Sequence, residues 1–342
     1  MALLSNEDEL ITSWRDLQEE SGREGWRTIP IGRGVHSKFL AGRQFPGGSE
    51  ALIFGFDNFS SLIKMTLPEA KGFTVSEVHI GFSPSHRWFS LSKKQAANLD
   101  FFLMMTLDLM DLMQKIEAIE SAKKFGLFIA RIKSWQEFMN RSNDGILTHE
   151  EEIGLIGELE LFSSLVKSGL DSFQVLSRWT GPLGKLHDFT TPVGGIEVKT
   201  TASKDKFLAT IGSLEQLDNL DCGLLYLVGY QYEEQDAGKT LAERVFEVRA
   251  YFESNDSAKF IFDNLLLDLG YVEAQSYLYR KKYTLSEMKI LEVTGNFPRL
   301  IKSNIPVEII SIKYQIDLNL ITSDELKYSD LHIIFGVLNN GA

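Results

Sequence analysis

Residues 179–201, reading WTGPLGKLHDFTTPVGGIEVKTT, constrain the fold and chemistry of this chain more than any other stretch. Eight residues separate Asp188 from Glu197, and one residue separates Glu197 from Lys199. Side chains alternate between the two faces of a β-strand, so Glu197 and Lys199 are expected on the same side. The stretch therefore predicts a strand that carries a carboxylate and an ammonium group close together on one face.

A turn within the same stretch predicts a β-hairpin. A short strand over 187–190 precedes Gly194-Gly195, and the turn would bring Asp188 alongside the second strand, whose Ile196 and Val198 point into a core. Two carboxylates and an ammonium group in one small patch are costly unless something binds there. A divalent cation with an activated water is a common occupant of such a patch.

Composition predicts a cytoplasmic globular protein of one or two domains. The 342 residues are 44 % apolar and 24 % charged, which is ordinary for such a protein. No apolar run approaches the roughly 20 residues that a membrane span needs, and the acidic N-terminus does not resemble a secretory signal. The single cysteine, Cys222, excludes an intrachain disulfide and fits a reducing compartment.

The formal net charge of −12, from 35 basic and 47 acidic residues, argues against a non-specific nucleic-acid coat. It leaves room for a local basic groove. One basic cluster surrounds the stretch 179–201 and consists of Arg178, Lys185, Lys199, Lys204 and Lys206.

Hydrophobic patterning predicts four parts along the chain. Residues 1–92 are rich in short strands, and 93–145 form a helical connector that ends in the polar stretch NRSNDG. Residues 146–235 form a core of helix and strands, and 236–342 form an α/β extension. The expected fold is therefore α/β, in the α+β sense, with a mixed central sheet flanked by helices and an additional β-rich N-terminal domain.

Caps and periodicity predict individual elements in the last two parts. A helix is expected over 148–168, closed by Gly169. Ser213 and Gln216 form a capping-box pattern that predicts a helix over 213–220. The remaining predictions are a helix over 244–268 and strands over 207–211, 223–230, 276–284, 288–293, 307–316 and 331–335.

The tripeptide Glu-x-Lys occurs four times, so it carries little information alone. The other copies are Glu69-Ala-Lys71, Glu287-Met-Lys289 and Glu325-Leu-Lys327. The first lies in a turn setting, the second has no aspartate at hairpin distance, and the third follows a polar stretch. Only Glu197-Val-Lys199 combines a strand, an aspartate at hairpin distance and a neighbouring acidic helix.

The helix over 148–168 supplies a third carboxylate. Glu158 lies in its apolar stripe, since its neighbours three and four positions away are Gly154, Leu155, Leu161 and Phe162. An ionised glutamate that faces a core is costly unless it is paired, protonated or metal-bound. Glu160 has more polar neighbours, so Glu158 is the better candidate. The structural alternative is that Glu158 forms an ion pair with Lys199 or Arg178.

These motifs, in this order, resemble the PD-(D/E)XK nuclease superfamily. More narrowly, they resemble bacterial PD-(D/E)XK motif proteins whose genes lie among restriction-modification and phage-defence genes. The matching stretches are Gly157-Glu158-Leu159, Trp179-Thr180-Gly181-Pro182, Asp188-Phe189 and Glu197-Val198-Lys199-Thr200-Thr201. The resemblance covers most of the chain. His187 replaces the proline of the superfamily pattern, a substitution that is frequent there.

The resemblance implies a restriction-endonuclease-like fold, with 146–235 as the nuclease core, and a metal site built from oxygen ligands. Asp188, Glu197 and the backbone carbonyl of Val198 would hold Mg²⁺, with Mn²⁺ as an alternative. Glu158 would bind a second metal ion or orient a metal-bound water.

The resemblance also implies roles for the residues around this site. Lys199 would position or help deprotonate the attacking water and offset charge that builds on the phosphorane. Gln216 would contact phosphate or Lys199, although a capping role explains it equally well. His187 is expected on the opposite side of the strand from Asp188, in the core or behind the site. Lys185 and Lys204 are candidates for contact with the substrate.

Other enzyme classes lack their motifs in this chain. A phosphate-binding GxxxxGK[ST] loop, a strand followed by GxGxxG and a GxSxG elbow are all missing. Zinc is disfavoured because the chain has one cysteine and six histidines, none at ligand spacing.

The expected function is Mg²⁺-dependent cleavage of DNA by a restriction- or defence-type endonuclease. Expected partners are DNA, other proteins of a defence system, and a second copy of the chain, because cutting both strands needs two active sites. No membrane partner is expected. The rival hypothesis is a catalytically silent, nuclease-like subunit that binds DNA or protein; the acidic net charge favours it. The presence of Glu158, Asp188, Glu197 and Lys199 together argues against it.

Overall fold

The computed structural model describes residues 5–18, 24–32, 38–57, 67–80, 86–141, 146–219, 223–322 and 326–335. The chain divides into two compact units, Met1–Gly145 and Ile146–Ala342. Cys222, Glu325 and the end of the NRSNDG stretch lie outside the described residues. The finer division into four parts stays a prediction.

The first unit contains a five-stranded antiparallel sheet in the order β1-β2-β3-β5-β4. In the described residues of this unit, three helices accompany it, and aromatic rings such as Phe54, Phe89 and Phe128 fill the core between helix and sheet. The elements are α1 (Asn6–Asp16), β1 (Gly25–Ile31), β2 (Phe39–Phe45), β3 (Ser49–Asp57), β4 (Phe73–Val78), β5 (His86–Lys93), α2 (Leu99–Lys115) and α3 (Ser121–Arg141).

The second unit is built around a four-stranded mixed sheet in the order β10-β9-β7-β6. Its elements are α4 (His149–Lys167), α5 (Ser172–Arg178), β6 (Phe189–Thr191), β7 (Gly194–Thr201), β8 (Leu208–Ile211), β9 (Leu224–Lys239), α6 (Leu241–Ala250), α7 (Asp256–Leu269), β10 (Tyr283–Glu292) and β11 (Tyr314–Asp317). Strand β7 pairs antiparallel with β6 and parallel with β9, so it is an internal strand. Strands β8 and β11 form a separate two-stranded antiparallel sheet.

Alternating side chains of the mixed sheet bury both of its faces. On β9, Tyr226 and Val228 join a core with α4, α6 and α7, together with Ile196 and Val198 of β7. Intervening β9 residues such as Leu227 join a second core with β8 and β11. The predicted inward direction of Ile196 and Val198 is confirmed. The mixed sheet with its flanking helices confirms the expected α+β, restriction-endonuclease-like fold class.

The helix predicted over 148–168 is confirmed as α4. Thr148 caps its N-terminus in a reciprocal capping box with Glu151, and Gly169 follows its C-terminal end with φ of +116°. The predicted helix over 244–268 is two helices, α6 and α7, because Asn255 caps the start of a new one. In the described residues, no helix is long and apolar enough to cross a membrane.

Several predicted elements toward the C-terminus are wrong. Residues 213–219 form bends and turns rather than a helix. Of 276–284, the first three residues end the 3-10 segment Glu273–Leu278, 279–282 have no regular structure, and only the last two begin β10. Residues 331–335 lie in the 3-10 segment Tyr328–Phe335. Of the strand predicted over 307–316, only the part from Tyr314 onward pairs, because β8 offers it a partner there.

Candidate active site

The structure brings Glu158, Asp188, Glu197 and Lys199 together along one polar cavity of about 1020 Å³. Glu158 comes from α4, Asp188 directly precedes β6, and the other two side chains lie on β7. Because α4, β6 and β7 are fixed by the same buried core, they hold the four side chains on a rigid frame.

Gly157 allows α4 to approach β7 closely. A Cβ at Gly157 would overlap the Oγ1 of Thr200 and lie 3.3 Å from Cγ1 of Val198. A larger residue would therefore push the helix away from the strand. Since Glu158 is the next residue on the helix, this close approach places its carboxylate over the hairpin.

Trp179 and Gly181 complete the surroundings of Glu158. The buried Nε1 of Trp179 donates a hydrogen bond of 2.6 Å to Oε2 of Glu158. A Cβ at Gly181 would lie 2.9 Å from that oxygen and 3.0 Å from Oδ1 of Asp188. The two carboxylates therefore converge on a space that exists because residue 181 has no side chain.

The hairpin itself holds Asp188. Backbone N–H of Val198 donates a hydrogen bond of 2.7 Å to Oδ2 of Asp188, and Phe189 pairs with Ile196 in the β6–β7 register. The backbone N–H groups of Thr180 and Gly181 both donate to the carbonyl of Asp188. Asp188 is thus positioned by backbone contacts on both sides.

Lys199 bridges two acceptors on the other side of the site. Its Nζ lies 2.6 Å from Oε1 of Glu197 and 3.4 Å from Oε1 of Gln216. The same amide oxygen of Gln216 accepts a 2.7 Å hydrogen bond from the backbone N–H of Gly212. Gln216 therefore organises a turn and orients Lys199, and the capping-box interpretation of Ser213 and Gln216 is wrong.

His187 is buried behind the site. Its Nε2 lies 3.1 Å from the backbone oxygen of Gln216, which can only accept, so Nε2 carries the proton in this contact. The ring packs against Gly195. Burial lowers the pKa of His187 more than its contact with Gln216 raises it.

The remaining candidates are not brought into the cavity. Lys185 and Lys204 are exposed, and neither lines it. Glu160 forms an ion pair of 2.7 Å with Arg244 and accepts a hydrogen bond from Tyr232, away from the carboxylates. Glu158 has Trp179 as its hydrogen-bond partner, and in the described part of the chain no ion pair joins it to a lysine or arginine.

The Glu-x-Lys copies of the described residues differ in their surroundings. In the copy on β7, Glu197 is buried and Lys199 is mostly so. In the copy on β10, the side chain of Glu287 is 40 % exposed and lies 3.8 Å from Lys289. Glu69 pairs instead with Lys94. The burial of the β7 copy is what distinguishes it chemically.

Burial and mutual repulsion disfavour the charged forms of the carboxylates. Burial raises the pKa of Glu158 well above its ordinary value, and the charge of Asp188 raises it further. Burial and Asp188 also raise the pKa of Glu197 from 4.5 to about 8, outweighing the contact with Lys199. The pKa of Asp188 is raised by burial, against the opposing hydrogen bond from Val198.

This donor set fits a hard divalent cation. Oxygen ligands suit Mg²⁺, a positive charge would relieve the repulsion among the carboxylates, and the buried Oε2 of Glu197 has no hydrogen-bond partner in the structure. Within the described ranges, no three Asp, Glu, His or Cys side chains are already spaced as a complete ligand set. Binding by Glu158, Asp188 and Glu197 therefore requires at least one of them to rotate.

The sequence interpretation assigned no role to Trp179, Gly181 or Gly157 beyond their place in matching motifs. One signal for Trp179 was available, because a buried indole N–H usually finds an acceptor and Glu158 is an unpaired acid on the facing helix. The partners of the two glycines are distant in sequence, so nothing local indicated the space that they leave.

The fold and the cavity define a protein of the PD-(D/E)XK class, with an acidic residue on a helix, a hairpin aspartate and a Glu-x-Lys strand. Residues 10–319 match the model of the family described as "Putative PD-(D/E)XK family member, (DUF4420)". The chain belongs to this family. No curated protein and no solved structure gives a significant match.

Proposed function

We propose that the chain is a divalent-metal-dependent phosphodiesterase that cuts DNA, as a cytoplasmic endonuclease of the restriction or defence type. The observation that carries the proposal is the convergence of Glu158, Asp188, Glu197 and Lys199 on one polar cavity. Burying three acids that repel one another costs free energy, even beside a lysine. A bound cation would offset their repulsion, and the lysine would be available to a phosphate.

In this proposal Asp188, Glu197 and the backbone carbonyl of Val198 would hold Mg²⁺, with Mn²⁺ as an alternative. Glu158 would bind a second metal ion or orient a metal-bound water. When bound, the ion would polarise a phosphate oxygen and lower the pKa of a coordinated water. The raised pKa values of the three acids favour their protonated forms, which are poor ligands. A positive charge beside them would favour the ionised forms that bind a metal ion.

Lys199 acts on the attacking water and on the developing charge. Glu197 and Gln216 hold its Nζ at 2.6 Å and 3.4 Å, which leaves an N–H donor for a water or a phosphate oxygen. Phosphoryl transfer depends mainly on positioning and on electrostatic stabilisation of the transition state, and a fixed ammonium group supplies both.

The reaction is hydrolysis of one phosphodiester bond. The water oxygen forms a bond to phosphorus, and the bond from phosphorus to one sugar oxygen breaks. The leaving oxygen gains a proton, and the proton lost by the water passes to solvent in the open cavity. The products are a phosphate monoester and an alcohol, so no oxidant, reductant or further substrate is needed.

A second candidate function is that of a catalytically silent subunit that binds DNA or protein in a defence complex. The net charge of −12 favours it, because such a chain repels a polyanion outside a local site. A homodimer remains part of the first proposal, since cleavage of both strands needs two sites.

A plasmid-nicking assay with Mg²⁺ or Mn²⁺ separates these functions. We expect the wild type to nick supercoiled DNA and Lys199→Ala to lose most of this activity. Lys289→Ala is the matched control, because Lys289 belongs to a Glu-x-Lys copy on β10 of the same sheet and lies outside the cavity. Equal inactivity of all three proteins on several DNA forms would favour the silent subunit.

A thermal-shift measurement tests the metal site independently of cleavage. Mg²⁺ or Ca²⁺ is expected to raise the melting temperature, because ligands that bind only the folded state stabilise it by mass action. Asp188→Asn is expected to abolish the rise. A rise of the same size in this variant would place metal binding elsewhere.

A further inference from the structure

The cavity that holds the carboxylates is an open groove with two chemically different walls. Its floor is the C-terminal half of β7, including Thr200 and Thr201, and continues into Ser203 just after the strand. One wall is the first half of α4, and the other combines β8 with the start of β11. A substrate whose reacting phosphate lies at the carboxylates extends between these walls.

The wall formed by α4 disfavours an anion. His149 and the exposed Glu150 line it. The capping box occupies two backbone N–H groups at this end of the helix, because the Thr148 hydroxyl accepts from Glu151 and the Glu151 carboxylate accepts from Thr148. The first turn carries three acidic residues, Glu150, Glu151 and Glu152. A negatively charged backbone is therefore repelled from this side.

The opposite wall presents hydrogen-bond donors. Strand alternation places the apolar Ala209, Ile211 and Ile316 in a core, while Thr210 and Gln315 face the groove as a cross-strand pair. Nε2 of Gln315 donates a 3.1 Å hydrogen bond to Oγ1 of Thr210, which leaves the hydroxyl hydrogen and a second amide hydrogen available.

Lys313 adds the positive charge of this wall. It lies two residues before Gln315, is exposed, and lines the groove. In the part of the chain that the structure describes, no carboxylate forms an ion pair with Lys313, whereas Lys199, the other groove-lining lysine, is engaged by Glu197. Because the chain as a whole carries a charge of −12, a lysine without an acidic partner beside the reaction site contributes strongly to the local attraction of a polyanion.

We propose that the groove-facing side of the β8–β11 sheet, formed by Thr210, Lys313 and Gln315, binds the phosphate backbone of the DNA that the carboxylate site cuts. This inference rests on the proposed function and adds to it the path that the DNA strand takes through the groove. The DNA strand follows the β8–β11 wall, and the acidic first turn of α4 keeps the strand away from the other wall.

DNA binding in Ca²⁺, measured by fluorescence anisotropy with a labelled duplex over a series of salt concentrations, tests this inference. Each neutralised phosphate contributes a slope of about −0.9 to log K against log salt, so Lys313→Ala should bind about fivefold more weakly near 0.15 M salt. The salt slope should also become shallower by about one. Lys313→Arg should restore the binding.

Two controls make the result specific to the wall. Lys302→Ala removes an exposed lysine that pairs with Glu215 and lies outside the groove, so it should leave the affinity unchanged. Glu150→Gln removes a negative charge from the opposite wall and should strengthen binding. The metal-induced rise in melting temperature should be the same in Lys313→Ala as in the wild type, because Lys313 does not contact the carboxylates.

Wild-type affinity and salt slope in both Lys313→Ala and Gln315→Ala would overturn the inference, while DNA cleavage by the same preparations would leave the proposed function standing. Failure of the wild type to bind any form of DNA would overturn both. Loss of binding in Lys302→Ala equal to that in Lys313→Ala would also overturn the inference, because it would indicate a diffuse charge effect rather than a wall.

Discussion

The Nε1 atom of Trp179 lies 2.6 Å from Oε2 of Glu158, and this hydrogen bond joins the loop before the hairpin to helix α4. The indole ring is held by edge and tilted contacts with Phe162 and Phe262. Because the ring is fixed, its N–H aims the Glu158 carboxylate toward the space beside Gly181. Hydrogen bonds behind a ligand commonly set both its orientation and its affinity for the metal.

Trp179→Phe is therefore expected to weaken metal binding roughly tenfold, the lower end of the effects seen for such supporting hydrogen bonds. Phenylalanine keeps an aromatic ring in the core and removes the donor. The measurement is the melting temperature as a function of Mg²⁺ concentration. Trp135→Phe is the matched control, since buried Trp135 donates a 2.7 Å hydrogen bond to Asp108 in the first unit. Equal metal responses in the two variants would contradict the prediction.

The raised pKa of Glu197 predicts a pH-dependent stability of the metal-free protein. The Glu197 carboxyl binds its proton more tightly in the folded state than in the unfolded state. Protonation therefore stabilises the folded state fully below about pH 4.5, and this stabilisation is lost as the pH rises toward about 8. In EDTA, the melting temperature of the wild type should fall over this range more than that of Glu197→Gln. Glu287→Gln, in the exposed copy on β10, should behave like the wild type. Parallel curves for wild type and Glu197→Gln would refute this.

The contact between α4 and β7 at Gly157 predicts a steric effect. Gly157→Ala is expected to destabilise the protein by about 1–3 kcal/mol, because the added methyl group overlaps Thr200 and overpacks the contact. Chemical denaturation measures the change. Thr200→Ala in the same chain should recover part of the loss, since the two sites are in direct contact.

Gly154→Ala, one turn earlier on α4, is the control for that experiment. A Cβ there meets no atom within 4 Å, so the substitution should stabilise the helix by roughly 0.5–1 kcal/mol. A similar loss of stability in both variants would contradict the prediction, because the contact with Thr200 exists only at Gly157.

Gly181→Ala is expected to reduce the metal-induced rise in melting temperature, because its methyl group would occupy the space between Glu158 and Asp188. Gly212→Ala is the control on the opposite side of the site, where a Cβ lies at an ordinary 3.6 Å from Oε1 of Gln216. Isothermal titration with Mg²⁺ provides a second readout. An unchanged affinity in Gly181→Ala would mean that the cation does not enter this space.

The local pattern was sufficient to predict the elements that carry the site. The apolar stripe placed Glu158 on the inner face of α4, and strand alternation placed Glu197 beside Lys199. Both inferences depend on short-range geometry. The partners of Trp179, Gly157 and Gly181 are fixed by the packing of α4 on the hairpin, so their contribution became visible only in three dimensions.

The failures have a common physical origin in contacts that are distant along the chain. The residues 307–310 have high strand propensity, yet Val307 and Ile310 are 90 % and 89 % exposed, and only the segment from Tyr314 finds a partner in β8. Similarly, the amide of Gln216 binds Gly212 and Lys199 in place of a helix cap.

The parallel pairing of β7 with β9 has a consequence for biosynthesis. Gly194 pairs with Leu224 and Thr201 with Gln231, so every β9 partner of the site-bearing strand lies thirty residues further along. Until β9 has left the ribosome, β7 can pair only with β6, and the acids of the hairpin remain hydrated rather than buried. The nascent chain therefore acquires its repelling cluster of carboxylates late, after the strand that encloses them has been made.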